Sequence, residues 1–560
     1  MKNYIYKFLW VAVITLFAVS CKSTLEDVPV EQQTLEFVFD KNDSAGSNAN
    51  RFLFDIYTHL PVLFNRVGGD FLDAATDDGI SSLNSNTSVQ QLAQGTYTST
   101  NYPDDQWANC YAAIRQTNIF INNIDQVPLL GKLSNGTPYN KVWKAEAKFL
   151  RALFYFELVK RYGGVPLLGD KVFQLGDDLN IPRNSFADCV QYIKNECDSM
   201  KNNLRPDPVE PSNLMRPTKG AALALKARLL LYAASPLYNG GNIDGNNALT
   251  GYTDYDKERW NLAAAAADSV RAENVFGLDT AFKDVFIVEY NNERIFARIN
   301  GSNSSLDKED SPMGYTLSNG RTSPTQELAD AFGMINGKDI TDPASGYNSI
   351  DPYKNRDPRF YKTFFYNGSI WLSRPVETFE GGADKPGGTR QQTRTGYYLR
   401  KFLGDNETLT AFNDHSHDHI LFRYGEVLLN YAEARNEYLD KPDQNVYNAV
   451  EAIRRRAKLS PYQLSATLTK DSMRIIIHHE RRKELAFEEH RYWDVRRWKE
   501  AETTFNTSLH GMLIYKLGSG TLTYQKVPVY TMAFAAKMYF APIPYSEVTK
   551  NNKMVQNPQW

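Results

Sequence analysis

The chain has 560 residues, of which 42% are hydrophobic, 23% charged and 13% aromatic, with a formal net charge of −2. That length and apolar content exclude an intrinsically disordered protein and leave room for a large core or several domains. The near-neutral balance excludes a protein built to lie along nucleic-acid phosphates, which carries a clear basic excess.

The first element in the chain is a leader over residues 1–20. Lys2 and Lys7 give it a basic start, Phe8 to Val19 is apolar except for Thr15, and Ala18-Val19-Ser20 puts small residues ahead of Cys21. The apolar run is shorter than the roughly 20 residues that span a bilayer. It reads as a secretory signal whose removal leaves Cys21 as the first mature residue, placed to carry a lipid. Ala18 stands where such signals more usually have leucine. Cys110, Cys189 and Cys197 remain in the mature chain. An odd number without zinc-like spacing argues against a disulfide framework or a metal site, so all three read as small buried residues.

Helical periodicity dominates the mature chain. Lys144–Tyr162 places Ala147, Leu150, Phe154 and Leu158 on one face, and Lys160-Arg161, Gly163-Gly164 and Pro166 end it. Ser185–Asn202 (N-capped by Ser185), Gly220–Ala234, Trp260–Ala272, Tyr424–Leu439, Val446–Lys458 and Ser472–Trp498 read as further helices. Ala145-x-Ala147-x-x-x-Arg151-x-x-x-Tyr155 recurs as Ala222-x-Ala224-x-x-x-Arg228-x-x-x-Tyr232, and Ala432-x-Ala434 is a partial third copy. Small residues let neighbouring helices approach closely. The pattern predicts a mostly α fold, a tetratricopeptide-like helical-repeat scaffold at intervals longer than 34 residues. Long loop-rich insertions interrupt it at Tyr238–Asp256, Asn300–Thr325 and Arg374–Gly396, which implies loops that are functional or disordered. Only a few short strands are expected, at Asp284–Tyr290 and Tyr397–Phe402.

No GxSxG elbow, Walker loop or HExxH motif is present. His479-Glu480 begins like a metalloprotease motif, but Lys483 stands where the second histidine belongs. Adjacent acids such as Asp77-Asp78 and Asp104-Asp105 cannot face each other across a sugar as a glycosidase pair must, so turn and cap roles suit them better. His415, His417 and His419 would share one side of an extended segment. The favoured reading is a polar loop before the helix at Tyr424, with no metal and no cofactor; a transition-metal site is the alternative.

Residues 479–498, HERRKELAFEEHRYWDVRRW, hold thirteen charged or histidine side chains and four aromatics. As one helix they would alternate charge at i,i+3 (Arg481 with Glu484, Glu488 with Arg491, Arg491 with Asp494, and Asp494 with Arg497), free to bond to each other or to neighbouring helices. Balanced charge predicts a packed structural helix rather than a nucleic-acid surface.

This stretch resembles the C-terminal signature of the SusD/RagB family of outer-membrane lipoproteins. Other blocks agree in order: AEAKFLRALFYFELVKRYGGVPLL (145–168), RPTKGAALALKARLLLYAASPLYN (216–239), SPTQELADAFGMINGKD (323–339), NRDPRFYKTFFYNG (355–368), RYGEVLLNYAEARNE (423–437), AIRRRAKL (452–459) and the terminal PIPYSEVTKNNKMVQNPQW, where Gln559 replaces the usual glycine. The resemblance implies a single SusD-like fold over 21–560, with an N-terminal half at 22–240 and a C-terminal half at 275–560. It implies a non-catalytic, lipid-anchored protein of the cell surface that captures a glycan, or in the RagB manner a peptide, for a SusC-type TonB-dependent outer-membrane transporter. A surface glycosidase is the weaker alternative. Glu26-Asp27 would suit the family's acidic export signal, diluted by Lys22.

Family blocks mark the scaffold and not the ligand. A sugar presents apolar C–H faces and hydroxyls, so aromatics beside Asp, Asn or Arg in loops are the candidates. These are Tyr97, Asn101 and Tyr102 ahead of the helix at Trp107, Tyr315 in the second insertion, and Trp371 with Arg374 before the third. Asp77 and Asp78 could add hydroxyl contacts. Trp107 and Trp498 are assigned to the scaffold.

Overall fold

The computed structural model describes residues 34–84 and 87–560. The leader, Cys21 and Glu26-Asp27 lie outside the described residues. Among those described, the helices of eight or more residues are α1 (Ser47–Tyr57), α2 (Trp107–Asn123), α3 (Tyr139–Tyr162), α4 (Phe186–Met200), α5 (Lys219–Ala234), α6 (Glu258–Arg271), α7 (Tyr424–Tyr438), α8 (Gln444–Arg456), α9 (Lys470–Glu484) and α10 (His490–Arg497). From α1 to α8 each helix packs on the next, and α9 returns to α7. That succession of neighbours is the helical-repeat scaffold. None of these helices is long and apolar enough to cross a membrane.

Local chemistry sets the helix ends. Ser185 accepts the N–H of Asp188 at 3.0 Å and opens α4. Thr218, Asp443 and Thr469 cap α5, α8 and α9 in the same way. Gly163 closes α3 at φ +75°, where an added Cβ would stand 2.3 Å from the Leu249 carbonyl oxygen. The recurring arginine of the Ala-Ala-Arg-Tyr pattern has a recurring job. Arg151 on α3 reaches Glu196 on α4 at 2.7 Å, and Arg228 on α5 reaches Glu426 on α7 at 2.6 Å. Cys110, Cys189 and Cys197 are buried and free, and Trp107 and Trp498 are buried in the scaffold.

Strands of three or more residues are β1 (Gly79–Ser81), β2 (Arg294–Arg298), β3 (Thr322–Pro324), β4 (His419–Arg423), β5 (Ser508–Lys516) and β6 (Leu522–Thr531), all in antiparallel pairs: β1 with β3, β2 with β4, β5 with β6. The β5–β6 hairpin escaped the sequence reading, although LGSG between alternating β-formers is a hairpin signal. The strand expected over Tyr397–Phe402 is confined to Tyr398–Leu399, paired with Phe364–Phe365. The strand expected over Asp284–Tyr290 is instead a short helix, Asp284–Ile287. Phe282 and Phe286 meet edge to face at 5.4 Å, an i,i+4 pair that helical and not extended backbone provides.

Two cores result. The larger one joins the helices. The second gathers rings from the chain between α6 and α7, among them Phe282, Tyr315, Phe332, Tyr353, Phe360, Phe364, Trp371, Tyr397 and Phe402. Between the cores lies the segment 479–498, and it is not one helix. Phe487 and Glu489 adopt left-handed backbone at φ 60° and 64°, which breaks it into the end of α9 and the start of α10. Such residues cost about 1–2 kcal/mol each, so tertiary contacts must fix them. Lys401 donates to the carbonyls of Glu484 and Ala486 at 3.1 and 2.8 Å and to Glu488 at 2.7 Å. The Glu489 N–H donates to Asp73 at 3.2 Å, and Phe487 packs on Phe71.

The break redirects the charges. Of the expected i,i+3 pairs only Asp494–Arg497 forms, at 2.8 Å. Arg481 reaches across to Asp494 at 3.0 Å, and Arg491 pairs with Asp77 at 2.8 Å. Glu484 is held by Arg423 at 2.8 Å, Arg359 at 3.1 Å and Arg456. Arg423 also bonds Glu293 at 2.6 Å and both oxygens of Glu488 at 2.6 and 2.8 Å. Burial opposes ionisation of Glu480, but Arg359, Lys483 and Arg454 overcome it and hold the carboxyl at about 2.

Removing one member of a buried ion cluster strands the others, at a cost of about 3–5 kcal/mol. We expect Arg423→Met to lower the unfolding free energy by that order, read from urea denaturation by circular dichroism, whereas an exposed charge such as Lys257→Met leaves it unchanged. The pH profile should be two-sided. Glu480, Glu157, Asp104 and Glu426 are all depressed to about 2, so their stabilisation is complete above the unfolded value near 4 and is lost as pH falls towards 2. Burial raises Asp310 to about 7 and Asp70 to about 6, so the folded state holds those protons more tightly and gains stability as pH falls from 7 to 4. Urea midpoints measured from pH 3 to 8 should peak between pH 4 and 6 and drop steeply below 4.

Candidate ligand-binding cleft

The structure places the sequence-derived candidates in three locations. Asp77 and Asp78 are buried against α9 and α10: Asp77 takes Arg491 in bidentate fashion at 2.8 and 2.9 Å, and Arg482 bonds Asp78 at 2.7 Å. Burial alone would raise the Asp77 carboxyl, and the Arg482 and Arg491 guanidinium groups bring it down instead. Both Asp77 oxygens and one Asp78 oxygen are spent on arginine, and the other Asp78 oxygen is buried without a partner, which corrects the expectation of hydroxyl contacts.

Trp371, Tyr315 and Arg374 come together, but inside the second core. Trp371 is fully buried, donates Nε1–H to Ser311 at 3.1 Å and stands edge-on to Phe365. The Arg374 guanidinium lies 3.6 Å over the Tyr315 ring and grips Asp384 at 2.8 and 3.0 Å, while the Tyr315 hydroxyl donates to the Arg374 carbonyl at 3.2 Å. The expected exposed platforms are therefore packing elements. An insertion this long needs its own core, and its aromatics supply it.

Tyr97, Asn101 and Tyr102 form one compact turn. Thr98 donates its backbone N–H and its hydroxyl to Asn101 Oδ1 at 2.6 and 2.7 Å. Tyr97 is buried between Tyr102 and the C-terminal Trp560, with ring centroids 5.1 Å away on each side. Asn101 is exposed and Tyr102 half-buried.

The chain continues from this turn into the wall of a cavity of about 210 Å³. Pro103, Gln106 and Asn109 bring the start of α2, Thr58–Val62 and Arg66 the segment after α1, Glu157 and Arg161 the end of α3, and Arg298 the end of β2. His59 Nδ1 lies 2.8 Å from Asn109 Oδ1, and Asn109 donates Nδ2–H to the His59 carbonyl at 3.2 Å and to Gln106 Oε1 at 3.4 Å. Asp104 ties Arg161, at 3.0 and 3.1 Å, to Arg66, which also pairs with Glu489. Thr58, Leu60 and Arg298 also border a neighbouring cavity of about 150 Å³ whose wall includes Phe54, Met215 and Ile299. The combined cleft sets hydrogen-bonding groups beside apolar surface, which is what a sugar ring requires. His59, Gln106 and Arg298 were missed in the sequence. They come from three distant segments with no shared motif, and only Gln106 lies close to a candidate turn.

The histidine triplet does not converge. His417 Nε2 stands 3.0 Å from Asp307, His419 Nδ1 accepts the Leu63 N–H at 3.2 Å, and His415 pairs in a two-residue ladder with Asn303. Among the described residues no group of three His, Cys, Asp or Glu side chains is arranged to hold a metal ion.

Comparison with known proteins agrees with the architecture. The model of the SusD family matches residues 282–560, and a second family model, described as starch-binding and associating with the outer membrane, matches residues 47–231. The SusD-like protein P38 of Formosa agariphila is 23% identical over 505 residues, 86% of this chain and 89% of the relative. A SusD-like protein from Bacteroides fragilis of known crystal structure is 27% identical, with a TM-score of 0.75 over 92% of this chain and 98% of that one. A laminarin-binding SusD-like protein shares the fold at 20% identity, with a TM-score of 0.61 over 92% of this chain and 99% of that one. Two family models that together take in most of the chain, on a helix-rich fold of the same kind, place this protein in the SusD family of carbohydrate-binding proteins associated with the outer membrane.

Proposed function

We propose that the protein is a lipid-anchored lipoprotein of the cell surface that captures a glycan and passes it to a SusC-type TonB-dependent transporter. The cleft carries the reading: His59, Gln106 and Asn109 face a cavity that borders on Phe54, Met215 and Ile299, on the scaffold of a carbohydrate-binding family. The exposed Asn101 and half-buried Tyr102 immediately precede Pro103 of its wall. Each cavity is smaller than the roughly 300–1,000 Å³ of a drug-sized site, so one or two sugar units enter and the rest of the glycan runs outside. Weak capture is sufficient when a transporter lies close, because tethering raises the effective concentration. The leader ending at Cys21 supports the anchor.

Affinity electrophoresis against a polysaccharide panel tests capture, with laminarin included because a protein of this fold binds it. We expect retardation on at least one glycan and no release of reducing ends. Gln106→Ala should weaken binding about tenfold, the order of one charged or well-placed neutral hydrogen bond, without changing the melting temperature. No retardation on any glycan sinks the reading, and peptides co-purifying with the native protein would replace it with peptide capture. For the anchor, Cys21→Ala should abolish incorporation of labelled palmitate and release the protein from the membrane fraction; a variant that still takes up label would refute Cys21 as the lipid site.

A further inference from the structure

Three guanidinium groups face the cleft, and two are neutralised. Arg66 has Asp104 and Glu489, and Arg161 has Asp104 and Glu157. Arg298 differs. Its Nη1 donates to the Leu60 carbonyl, and among the described residues no carboxylate stands within ion-pair distance of it. Across the β2–β4 ladder it faces His419, which burial and Arg298 itself hold down to about 4, a neutral ring in place of a counter-ion. A half-buried cation without a counter-charge is costly, and proteins keep such groups where a ligand completes them.

The remaining donors have a definite shape. With Nη1 on the Leu60 carbonyl, the Nε–H and Nη2–H edge has no acceptor among the described residues. Two parallel N–H groups on a planar fork match the two oxygens of a carboxylate. The neighbours suit hydroxyls. Asn109 Nδ2 donates elsewhere, so its Oδ1 accepts from His59 Nδ1–H, which leaves His59 Nε2 as an acceptor. Gln106 receives a hydrogen bond on Oε1 and keeps its amide hydrogens for a ligand.

We infer that the ligand is an acidic glycan and that Arg298 binds the carboxylate of one uronic acid unit within it. His59 and Gln106 then take ring hydroxyls, and the apolar wall at Met215 and Ile299 takes a C–H face. This rests on the glycan-capture reading and names its substrate class. A carboxylate on a hydroxylated ring is favoured over an extended peptide because the free groups here are side-chain donors and acceptors around one cavity.

Calorimetry on the full mature protein tests it with two probes: an oligosaccharide ending in glucuronic acid, and the same oligosaccharide with that carboxyl reduced to the alcohol. We expect the acid to bind at least tenfold tighter than the alcohol, with the difference shrinking at high salt. Arg298→Gln should weaken the acid far more than the alcohol and so remove most of the difference between them, and Arg298→Lys should restore part of it. The ligand-side comparison uses the unaltered protein, so it decides the matter even if the Arg298 variants fail to fold. Equal binding of acid and alcohol overturns the acidic class and leaves glycan capture standing. Binding of neither oligosaccharide, nor of any panel glycan, rejects glycan capture itself. Tighter binding of a sulfated oligosaccharide or of a peptide than of the uronate overturns the inference in favour of that ligand.

Discussion

Glu484 is a fully buried carboxylate surrounded by Arg359, Arg423 and Arg456, and the fold depends on that cluster being complete. Its members come from the end of β4, from α8, from α9, and from loop residues near 293, 357 and 401. Taking charges out of water costs several kcal/mol per ion, and that cost is recovered only when every donor and acceptor meets its partner. Arg423 shows how complete the recovery is: its guanidinium satisfies Glu293, Glu484, Glu488 and the Glu484 carbonyl together. Partial assembly leaves a buried charge unpaired. The cluster therefore selects one mutual arrangement of the helical core and the aromatic core, which apolar contact alone would specify only loosely.

The aromatic core explains why the insertions misled. A loop of twenty or more residues cannot stay ordered on hydrogen bonds alone; it must bury apolar area to offset its chain entropy. The chain between α6 and α7, which carries the second and third insertions, is rich in tyrosine and phenylalanine and folds those rings inward, and Tyr397 and Tyr398 place their hydroxyls on Gln326 and the Asp384 carbonyl. The same residue type that makes a sugar platform makes a loop core. Without neighbours in space, the sequence does not distinguish the two.

The scaffold was legible for a physical reason: its information is local. Caps at Ser185, stops at Gly163 and the repeated Ala-Ala-Arg-Tyr spacing act within a few turns. The signature over 479–498 was legible in kind, as balanced charge in a packed element, but not in pairing. Its pairing turns on left-handed backbone at Phe487 and Glu489, and those conformations are imposed by Lys401 and Asp73, distant in sequence. The cleft was least legible. Gln106 and His59 lie 47 positions apart, as their numbers show, and Arg298 is further still. None belongs to a recognisable spacing, and what singles out Arg298 is a missing partner, which no sequence displays.

Signature and cleft are nonetheless joined. Glu489, the left-handed residue that opens α10, pairs with Arg66 on the cleft wall and donates its N–H to Asp73. Arg66 in turn shares Asp104 with Arg161, and Asp104 follows the Asn101–Tyr102 turn by two residues. A continuous chain of charge-assisted bonds thus runs from the break in the signature to the edge of the cleft. It neutralises two of the three arginines there and holds the segment after α1 against α2. Arg298 stays uncompensated because it lies on β2, beyond the reach of that chain. The element outside the cleft thus sets which cation on its wall is left without a counter-charge.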